Sequence, residues 1–213
     1  LQAQSGGKLR GLVLDLRSNP GGLLTSAVQI ADDLLDSGVI VSTRGRMPGN
    51  DATFRATPGD RMHGAPVVAL VDAGSASATE VLCGARRDLH RATIVGSRTF
   101  GKGLVQTLLP LENGDTVKLT TARYYTPSGK SIQGVGIVPD VVLKPDEATA
   151  QKDAEEGDVP YTEASLPGHL HGEDEDDAGT NAGDVLPGDT PITAALQELK
   201  KPVAQAAAPT PKG

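Results

Sequence analysis

Two strand–helix–strand patterns follow one another in the first half of the chain, and they constrain the fold more than any other feature. In the first, apolar runs at residues 9–16 and 39–43 flank residues 23–35, where apolar side chains recur with the spacing of an amphipathic helix. The second repeats this order over residues 66–95, with its helix predicted over 76–89. Consecutive units of this kind predict an α/β fold whose parallel strands are joined by right-handed crossovers.

Extended segments dominate the next part of the chain. They are predicted over residues 104–109, 116–125 and 138–143, and Asn113-Gly114 marks a tight hairpin between the first two. The polar, glycine-containing stretch 44–63 is predicted as a loop or an irregular hairpin. The expected core therefore consists of stacked βαβ units followed by extended β segments, and it occupies residues 1–144.

The charged residues are distributed unevenly. Residues 146–190 hold 14 Asp or Glu and one Lys, whereas the remainder holds 19 basic and 13 acidic residues. Because the acidic stretch lacks hydrophobic periodicity, we predict a disordered acidic linker over residues 145–190. Residues 191–213 are predicted to form a short helix, over 191–200, and a low-complexity tail.

Composition bears on several classes of function. The chain has two Phe, three Tyr, no Trp and no arginine cluster, so it lacks the features of a nucleic-acid-binding protein. No apolar run approaches the roughly 18 residues of a membrane span, and the sequence shows no signal peptide. The positive charge outside residues 146–190 leaves association with a membrane surface or an adaptor open. Cys83, the single cysteine, is predicted to be a buried small hydrophobe.

Ser77 lies in a run of small residues, from Gly74 to Ala78, at a predicted strand-to-helix turn. Small neighbours allow a substrate carbonyl to approach a nucleophile, and the N–H groups of a helix N-terminus can stabilise an oxyanion. The same segment also fits a helix cap, because Glu80 follows Ser77 by three residues, as in a capping box. From these residues alone, capping is the simpler interpretation and Ser75 is a competing nucleophile.

Lys102 lies 25 residues after Ser77, in a glycine-flanked loop. A desolvated lysine can be the base that activates a serine hydroxyl, and Phe100 and Leu104 would supply an apolar wall. Residues 96–102 also fit most of a phosphate-binding loop. That pattern then requires Ser or Thr where this chain has glycine, and the following residues look extended, so nucleotide binding is not expected.

A histidine base is the alternative to a lysine. His90 follows Asp88 by two residues, so a Ser77–His90–Asp88 triad is conceivable but less favoured. No pair of histidines or cysteines has ligand spacing on a plausible element, so no metal site is predicted.

Five segments, in order along roughly residues 11–143, closely resemble the carboxyl-terminal processing peptidases, or tail-specific proteases. Members of this family are serine endopeptidases that use a Ser-Lys dyad. The matching segments are Gly11–Gly22, Gly74–Glu80, Asp88 with Arg91-Ala92, Thr99–Gly103, and Tyr124–Gln133 followed by Gly136–Asp140.

The resemblance assigns roles to individual residues. It implies that Ser77 is the nucleophile, that Lys102 is the general base and that Gln106 holds this lysine by hydrogen bonding. The implied oxyanion hole consists of backbone N–H groups from Gly21 or Gly22 and from Ala78. Asp88 matches an acidic position that affects activity or folding, either as a participant or through a structural ion pair with Arg91, and Glu80 is a supporting residue.

The resemblance also implies a fold and a function. The fold is a crotonase-like or ClpP-like core, and the expected substrates are unfolded or tagged polypeptides recognised near an apolar C-terminus, without a cofactor. The expected location is the periplasm or another extracytoplasmic space. Members normally carry a PDZ domain before the core, and nothing in residues 1–213 resembles one. We therefore expect a core fragment, incomplete at its N-terminus and weak as a protease. The alternative is a catalytically silent scaffold or peptide-binding fragment, and the oligomeric state is not predicted.

Overall fold

The computed structural model describes residues 1–47, 49–145, 162–175 and 182–201. Each predicted strand and helix is present within three residues of its expected bounds, and a short strand, β3, lies in the stretch expected to be a loop or an irregular hairpin. The strands are β1 (Leu12–Asp15), β2 (Val39–Gly45), β3 (Ala52–Arg55), β4 (Val67–Val71), β5 (Thr93–Gly96), β6 (Leu104–Pro110), β7 (Thr116–Tyr125) and β8 (Val141–Val142). The helices are α1 (Leu24–Asp32), α2 (Ala78–Asp88) and α3 (Thr190–Leu199), with a 3-10 turn at Glu163–Ser165.

A parallel sheet with the strand order β1-β4-β5-β8 forms the centre of the molecule. All five residues of β4 are buried. Because side chains alternate along a strand, Val68 and Leu70 face α3, whereas Ala69 and Val71 join the cluster that contains α2. Both faces of this sheet are therefore covered by helices, as its continuous apolar run requires.

A second, antiparallel sheet has the order β3-β2-β7-β6. The predicted hairpin at Gly114 joins β6 to β7, and its glycine adopts φ 87°, which side-chain-bearing residues rarely adopt. Helix α2 packs in one cluster with Ile40, Val41 and Tyr124 of this sheet and with Ile94 of the parallel sheet. Ser77 lies at the N-terminus of the helix that both sheets share, and Lys102 lies just before β6.

The acidic segment differs from the sequence-based expectation. The sequence predicts a disordered linker that includes residues 162–175 and 182–190, yet both segments lie against the core. Leu186 is 1% exposed, and the Arg17 guanidinium donates to its carbonyl at 2.6 Å. Polar contacts hold much of this segment against the core, and the hydrophobic pattern of the sequence does not reveal such contacts. The rest of the predicted linker, 146–161 and 176–181, and the tail beyond residue 201 lie outside the described residues.

Removing residues 145–213 is therefore expected to lower the melting temperature by more than about 10 °C. Helix α3 covers the face of β4 that carries Val68 and Leu70, and burying one large aliphatic side chain stabilises a fold by about 1.5–3 kcal/mol. Each kcal/mol shifts the melting temperature of a domain of this size by roughly 2–4 °C. The measurement compares melts of chains that end at Lys144 and at Lys201, the latter keeping all of α3. Equal melting temperatures would contradict the packing of α3.

Candidate active site

Ser77 lies in a sharp turn between the end of β4 and the start of α2. Its backbone adopts φ 57° and ψ −118°, a strained conformation that costs a non-glycine residue about 1–3 kcal/mol. The Ser77 N–H donates to Glu80 at 2.7 Å, and its carbonyl accepts from the Val81 N–H at 3.0 Å. A serine held at a strained strand-to-helix turn is the arrangement that exposes a nucleophile in several hydrolases.

The structure distinguishes Ser77 from Ser75, which the sequence left as competing nucleophiles. Ser75 is completely buried. Its hydroxyl donates to the Leu16 carbonyl at 2.8 Å and accepts from the Asp72 N–H at 3.0 Å, so it links the end of β1 to the turn. Ser77 is half-buried, and it is therefore the serine that a substrate can reach.

Glu80 is completely buried, and its carboxylate accepts four hydrogen bonds. Oε1 accepts from the Thr99 hydroxyl at 2.5 Å and from the Gly101 N–H at 2.8 Å. Oε2 accepts from the Ser77 N–H at 2.7 Å and from the Lys102 N–H at 2.9 Å. Burial raises the pKa of this carboxyl to about 7, and these hydrogen bonds act in the opposite direction.

The shared oxygen of Glu80 makes the backbones of Ser77 and Lys102 immediate neighbours. The sequence suggested a supporting role through a capping box, and the capping contact to the Ser77 N–H is present. The same carboxylate also fixes the lysine loop through the Gly101 and Lys102 N–H groups. One buried side chain thus joins the two segments that the resemblance paired.

Lys102 is half-buried, and its neighbour Leu104 is buried. Within the part of the chain that the structure describes, the Lys102 amine has no hydrogen bond and no carboxylate partner. Its side chain is therefore not committed to a structural ion pair there. The loop leads into strand β6, whereas a phosphate-binding loop leads into a helix.

The glycine turn after β1 lies against the Ser77 turn. Gly21 adopts φ 92°, and a Cβ at this position would lie 2.7 Å from the Ala76 carbonyl oxygen and 2.8 Å from the Ala78 nitrogen. The Gly21 N–H donates to the Asn19 side chain at 3.0 Å. The N–H groups of Gly22 and Ala78 have no partner among the described residues. Of the two glycines that the sequence offered, Gly22 is therefore the one with an available donor.

Asp72 is a site residue that the sequence analysis missed. It is 1% exposed, and its Oδ1 accepts from the Ser18 N–H at 2.7 Å and from the Gly74 N–H at 3.0 Å. It therefore ties the chain after β1 to the chain after β4. The available signal was an aspartate directly after a wholly apolar strand and before a glycine turn.

Asp88 and His90 lie at the far end of α2 from Ser77. The helix has 11 residues, which at 1.5 Å per residue separates its ends by about 16 Å. A Ser77–His90–Asp88 triad is therefore not formed, and Asp88 does not take part directly in chemistry at Ser77.

The ion pair expected between Asp88 and Arg91 is also wrong. Asp88 instead pairs with Arg87 at 3.2 Å and accepts from the Ser128 N–H at 3.1 Å. Arg91 pairs with Asp60 at 2.8 Å. Asp88 thus anchors the turn that follows β7, which is a structural role.

Gln106 is exposed on β6, where the register with β7 shifts between Val105 and Gln106. Its side chain forms no hydrogen bond with the described residues, so the implied bond to Lys102 is not formed in this structure. Cys83 is completely buried as predicted, and burial raises the pKa of its thiol to about 12.

Comparison with known proteins identifies the family. A model described as peptidase family S41 matches residues 1–143. The chain belongs to this family. Among the described residues of this S41 chain, no helix is long and apolar enough to cross a membrane. The same part of the chain shows no cluster of His, Cys, Asp or Glu that could hold a metal ion.

Several relatives are processing proteases. The carboxy-terminal-processing protease of Bartonella bacilliformis is 46% identical over 194 residues, which cover 91% of this chain and 44% of the relative. The chloroplastic C-terminal processing peptidase of Tetradesmus obliquus is 45% identical over 137 residues, 64% of this chain and 29% of the relative. The chain thus spans less than half the length of these relatives.

A solved structure confirms the fold class. The photosystem II D1 C-terminal processing protease matches with a TM-score of 0.60 and 42% identity, over 67% of this chain and 36% of that protein. The predicted mixed α/β core, in which βαβ units are followed by extended strands, is therefore the fold of the S41 peptidases.

Proposed function

We propose that this chain carries the catalytic apparatus of a serine endopeptidase with Ser77 as nucleophile and Lys102 as general base. The observation that carries the proposal is the Glu80 carboxylate oxygen that binds the backbone N–H groups of both residues. It supports a site in which a strained, accessible serine lies beside a lysine without a carboxylate partner among the described residues. A buried serine such as Ser75 does not offer this chemistry.

The reaction follows from these positions. Neutral Lys102 takes the proton of the Ser77 hydroxyl as Oγ bonds to the scissile carbonyl carbon, whose oxygen becomes an oxyanion. The N–H groups of Gly22 and Ala78 stabilise that charge. Lys102 then returns the proton to the departing amine as the C–N bond breaks. A water molecule then gives a proton to the same lysine as its oxygen bonds to the acyl carbon, and Lys102 returns this proton to Ser77 Oγ as the ester C–O bond breaks.

The substrates we propose are unfolded or tagged polypeptides recognised near an apolar C-terminus, and the proposed location is the periplasm or another extracytoplasmic space. The names of the relatives support the first point, because they are carboxy-terminal-processing proteases. The proposed location rests on the resemblance to the family. The mechanism requires no cofactor, since the base, the nucleophile and the oxyanion donors all come from the chain.

The test uses two unfolded polypeptides that differ only in their last residues, one apolar and one acidic, incubated with the chain and with its Lys102→Ala variant. We expect cleavage of the apolar form at least about 10-fold faster, and no cleavage by the variant. Equal cleavage of both would contradict the proposed substrate class. Cleavage retained without Lys102 would contradict the dyad, and binding without cleavage would favour a silent peptide-binding fragment.

Activity is expected to rise with pH through the neutral range. Glu80 accepts all four of its hydrogen bonds only as a carboxylate, and burial raises the pKa of this group to about 7, so the bonds are lost as the pH falls through that value. The measurement is the pH dependence of kcat/KM. A profile that is flat from pH 5 upward would contradict a requirement for the Glu80 carboxylate.

Gly21→Ala is expected to lower activity by about 100-fold or more, because displacing a reacting group by about 1 Å has an effect of this size. The added Cβ would lie within 2.8 Å of the backbone at Ala76 and Ala78, at a φ that alanine rarely adopts. Gly22→Ala is the matched control. Its Cβ would have no atom within 4 Å, and the N–H is kept. Equal kcat/KM for the two variants would contradict the contact between the two turns.

A further inference from the structure

The loop that carries Lys102 is fixed on both sides of that residue by one short segment. The Gly134 N–H donates to the Gly101 carbonyl at 2.9 Å, and the Gly103 N–H donates to Gln133 Oε1 at 3.0 Å. A Cβ on Gly103 would lie 2.3 Å from the Gln133 nitrogen, so the two backbones are in direct contact. Lys102 therefore lies between two glycines that Gln133 and Gly134 hold.

Gln133 is completely buried, and its amide has a partner on both atoms. While Oε1 accepts from Gly103, Nε2 donates to the Leu170 carbonyl at 2.8 Å and to Glu163 Oε1 at 3.3 Å. Because an amide has its acceptor on one atom and its donors on the other, these bonds fix its orientation. Two of its three partners belong to residues 162–175, which we call the acidic clasp.

The acidic clasp contacts the lysine loop directly as well. The Glu163 N–H donates to the Phe100 carbonyl at 3.0 Å, two residues before Lys102. Acidic side chains of the clasp also bind the chain near the end of β7. Tyr125, the last residue of β7, donates to Glu173 at 2.7 Å, and the Ser131 N–H, after the strand, donates to Asp174 at 3.0 Å.

The acidic clasp is also held together internally. Glu175 accepts from the Gly172 N–H at 2.7 Å and lies 2.8 Å from His169 Nε2. A disordered linker would not present three carboxylates of neighbouring residues to separate, defined partners.

We propose that Gln133 is a positioning residue for Lys102 and that the acidic clasp holds Gln133, so that the acidic segment is part of the catalytic apparatus. This inference rests on the proposed function, in which the Lys102 amine must reach the Ser77 hydroxyl. A displacement of about 1 Å in such a pair costs on the order of 100-fold in rate. Glu80 fixes the backbone of the loop through the N–H groups of Gly101 and Lys102, and Gln133 fixes it through the N–H of Gly103.

The test is the rate at which a fluorophosphonate acylates Ser77, followed by intact mass well below the melting temperature. Gln133→Glu keeps the oxygen that accepts from Gly103, but its second oxygen faces the Leu170 carbonyl and Glu163 without a proton to donate. We expect this variant to be acylated at least about 10-fold more slowly. The double variant Gln133→Glu, Glu163→Gln places an amide donor opposite the new carboxylate, and we expect it to recover most of the lost rate.

Glu112→Gln is the control for the loss of a carboxylate, because Glu112 is exposed between β6 and β7, and we expect it to react at the wild-type rate. A role confined to stability would lower the melting temperature of Gln133→Glu but leave the acylation rate of its folded form unchanged. That result would overturn the proposal, as would a double variant no faster than Gln133→Glu.

A second readout separates this inference from the proposed function. Hydrogen exchange at the Gly103 amide does not depend on catalysis, and Gln133→Leu removes its acceptor. We expect exchange at least about 10-fold faster in this variant. Absence of any acylation of wild-type Ser77 would refute the proposed function, and the exchange rate would then still decide whether Gln133 holds the lysine loop. Unchanged exchange refutes that role.

Discussion

Replacing Ser77 or Lys102 by alanine is expected to lower kcat/KM on an unfolded polypeptide by at least about 1000-fold, with a change of only a few degrees in the melting temperature. Among the described residues the Lys102 amine has no hydrogen-bond or ion-pair partner, and the contact of the Ser77 side chain is the capping one with the Glu80 N–H. Truncation therefore removes the nucleophile or its base and breaks at most one capping contact, which typically contributes about 1 kcal/mol. Paired assays of proteolysis and thermal unfolding on both variants measure this.

Ser75→Ala is the matched control for the nucleophile. This substitution removes a buried hydroxyl that bonds to Leu16 and Asp72, and a buried group left without its partner costs about 1–3 kcal/mol. We therefore expect a lower melting temperature but continued reaction of Ser77. An inactive, folded Ser75→Ala protein together with an active Ser77→Ala protein would show that the nucleophile is misassigned.

Glu80→Gln is expected to lower both activity and stability, although it changes one atom. Its carboxylate accepts from four donors, including the backbone N–H groups of Ser77 and Lys102. An amide has only one acceptor oxygen, so at least one pair of donors would face its N–H₂ group. Each buried donor left unpaired costs about 1–3 kcal/mol, and movement of either backbone separates the dyad. We expect the acylation of Ser77 to slow by about 100-fold or more.

Glu112→Gln provides the comparison, because Glu112 is exposed in the β6–β7 turn region and the same change there is expected to leave the melting temperature and the rate unaltered. A wild-type melting temperature and acylation rate for Glu80→Gln would contradict the role of this carboxylate in joining the two catalytic segments.

The order of elements could be predicted from the sequence because each element carries a local signal. Residues 67–71 are apolar without interruption, as a strand covered on both faces must be, and the helical spacing of apolar residues identified α1. The local sequence alone predicted that Ser77 precedes a helix and that Lys102 lies in a glycine-flanked loop. Their pairing did not, since it came from the resemblance of the motifs.

The contacts between distant segments could not be predicted in this way. Asp72 and Gln133 act through backbone N–H groups far away in the chain, and no periodicity reports such a bond. The acidic segment was assigned to a linker because its charge and lack of apolar spacing are typical of disorder. In the structure, carboxylates such as Glu173 and Asp174 instead meet hydroxyl and N–H donors of the core. The roles implied for Asp88 and Gln106 depend on the length of α2 and on the register of β6, which the motifs do not report. In the structure Asp88 lies at the far end of α2 from Ser77, and Gln106 makes no bond to Lys102.

The most direct measurement is site-resolved acylation of the chain by a fluorophosphonate, with intact mass for stoichiometry and peptide mapping for position. We predict one adduct per chain, on Ser77, with none in Ser77→Ala and a rate at least about 100-fold lower in Lys102→Ala. An adduct on Ser75 or on any other residue would contradict the nucleophile. An unchanged rate in Lys102→Ala would contradict the lysine as the base that activates it.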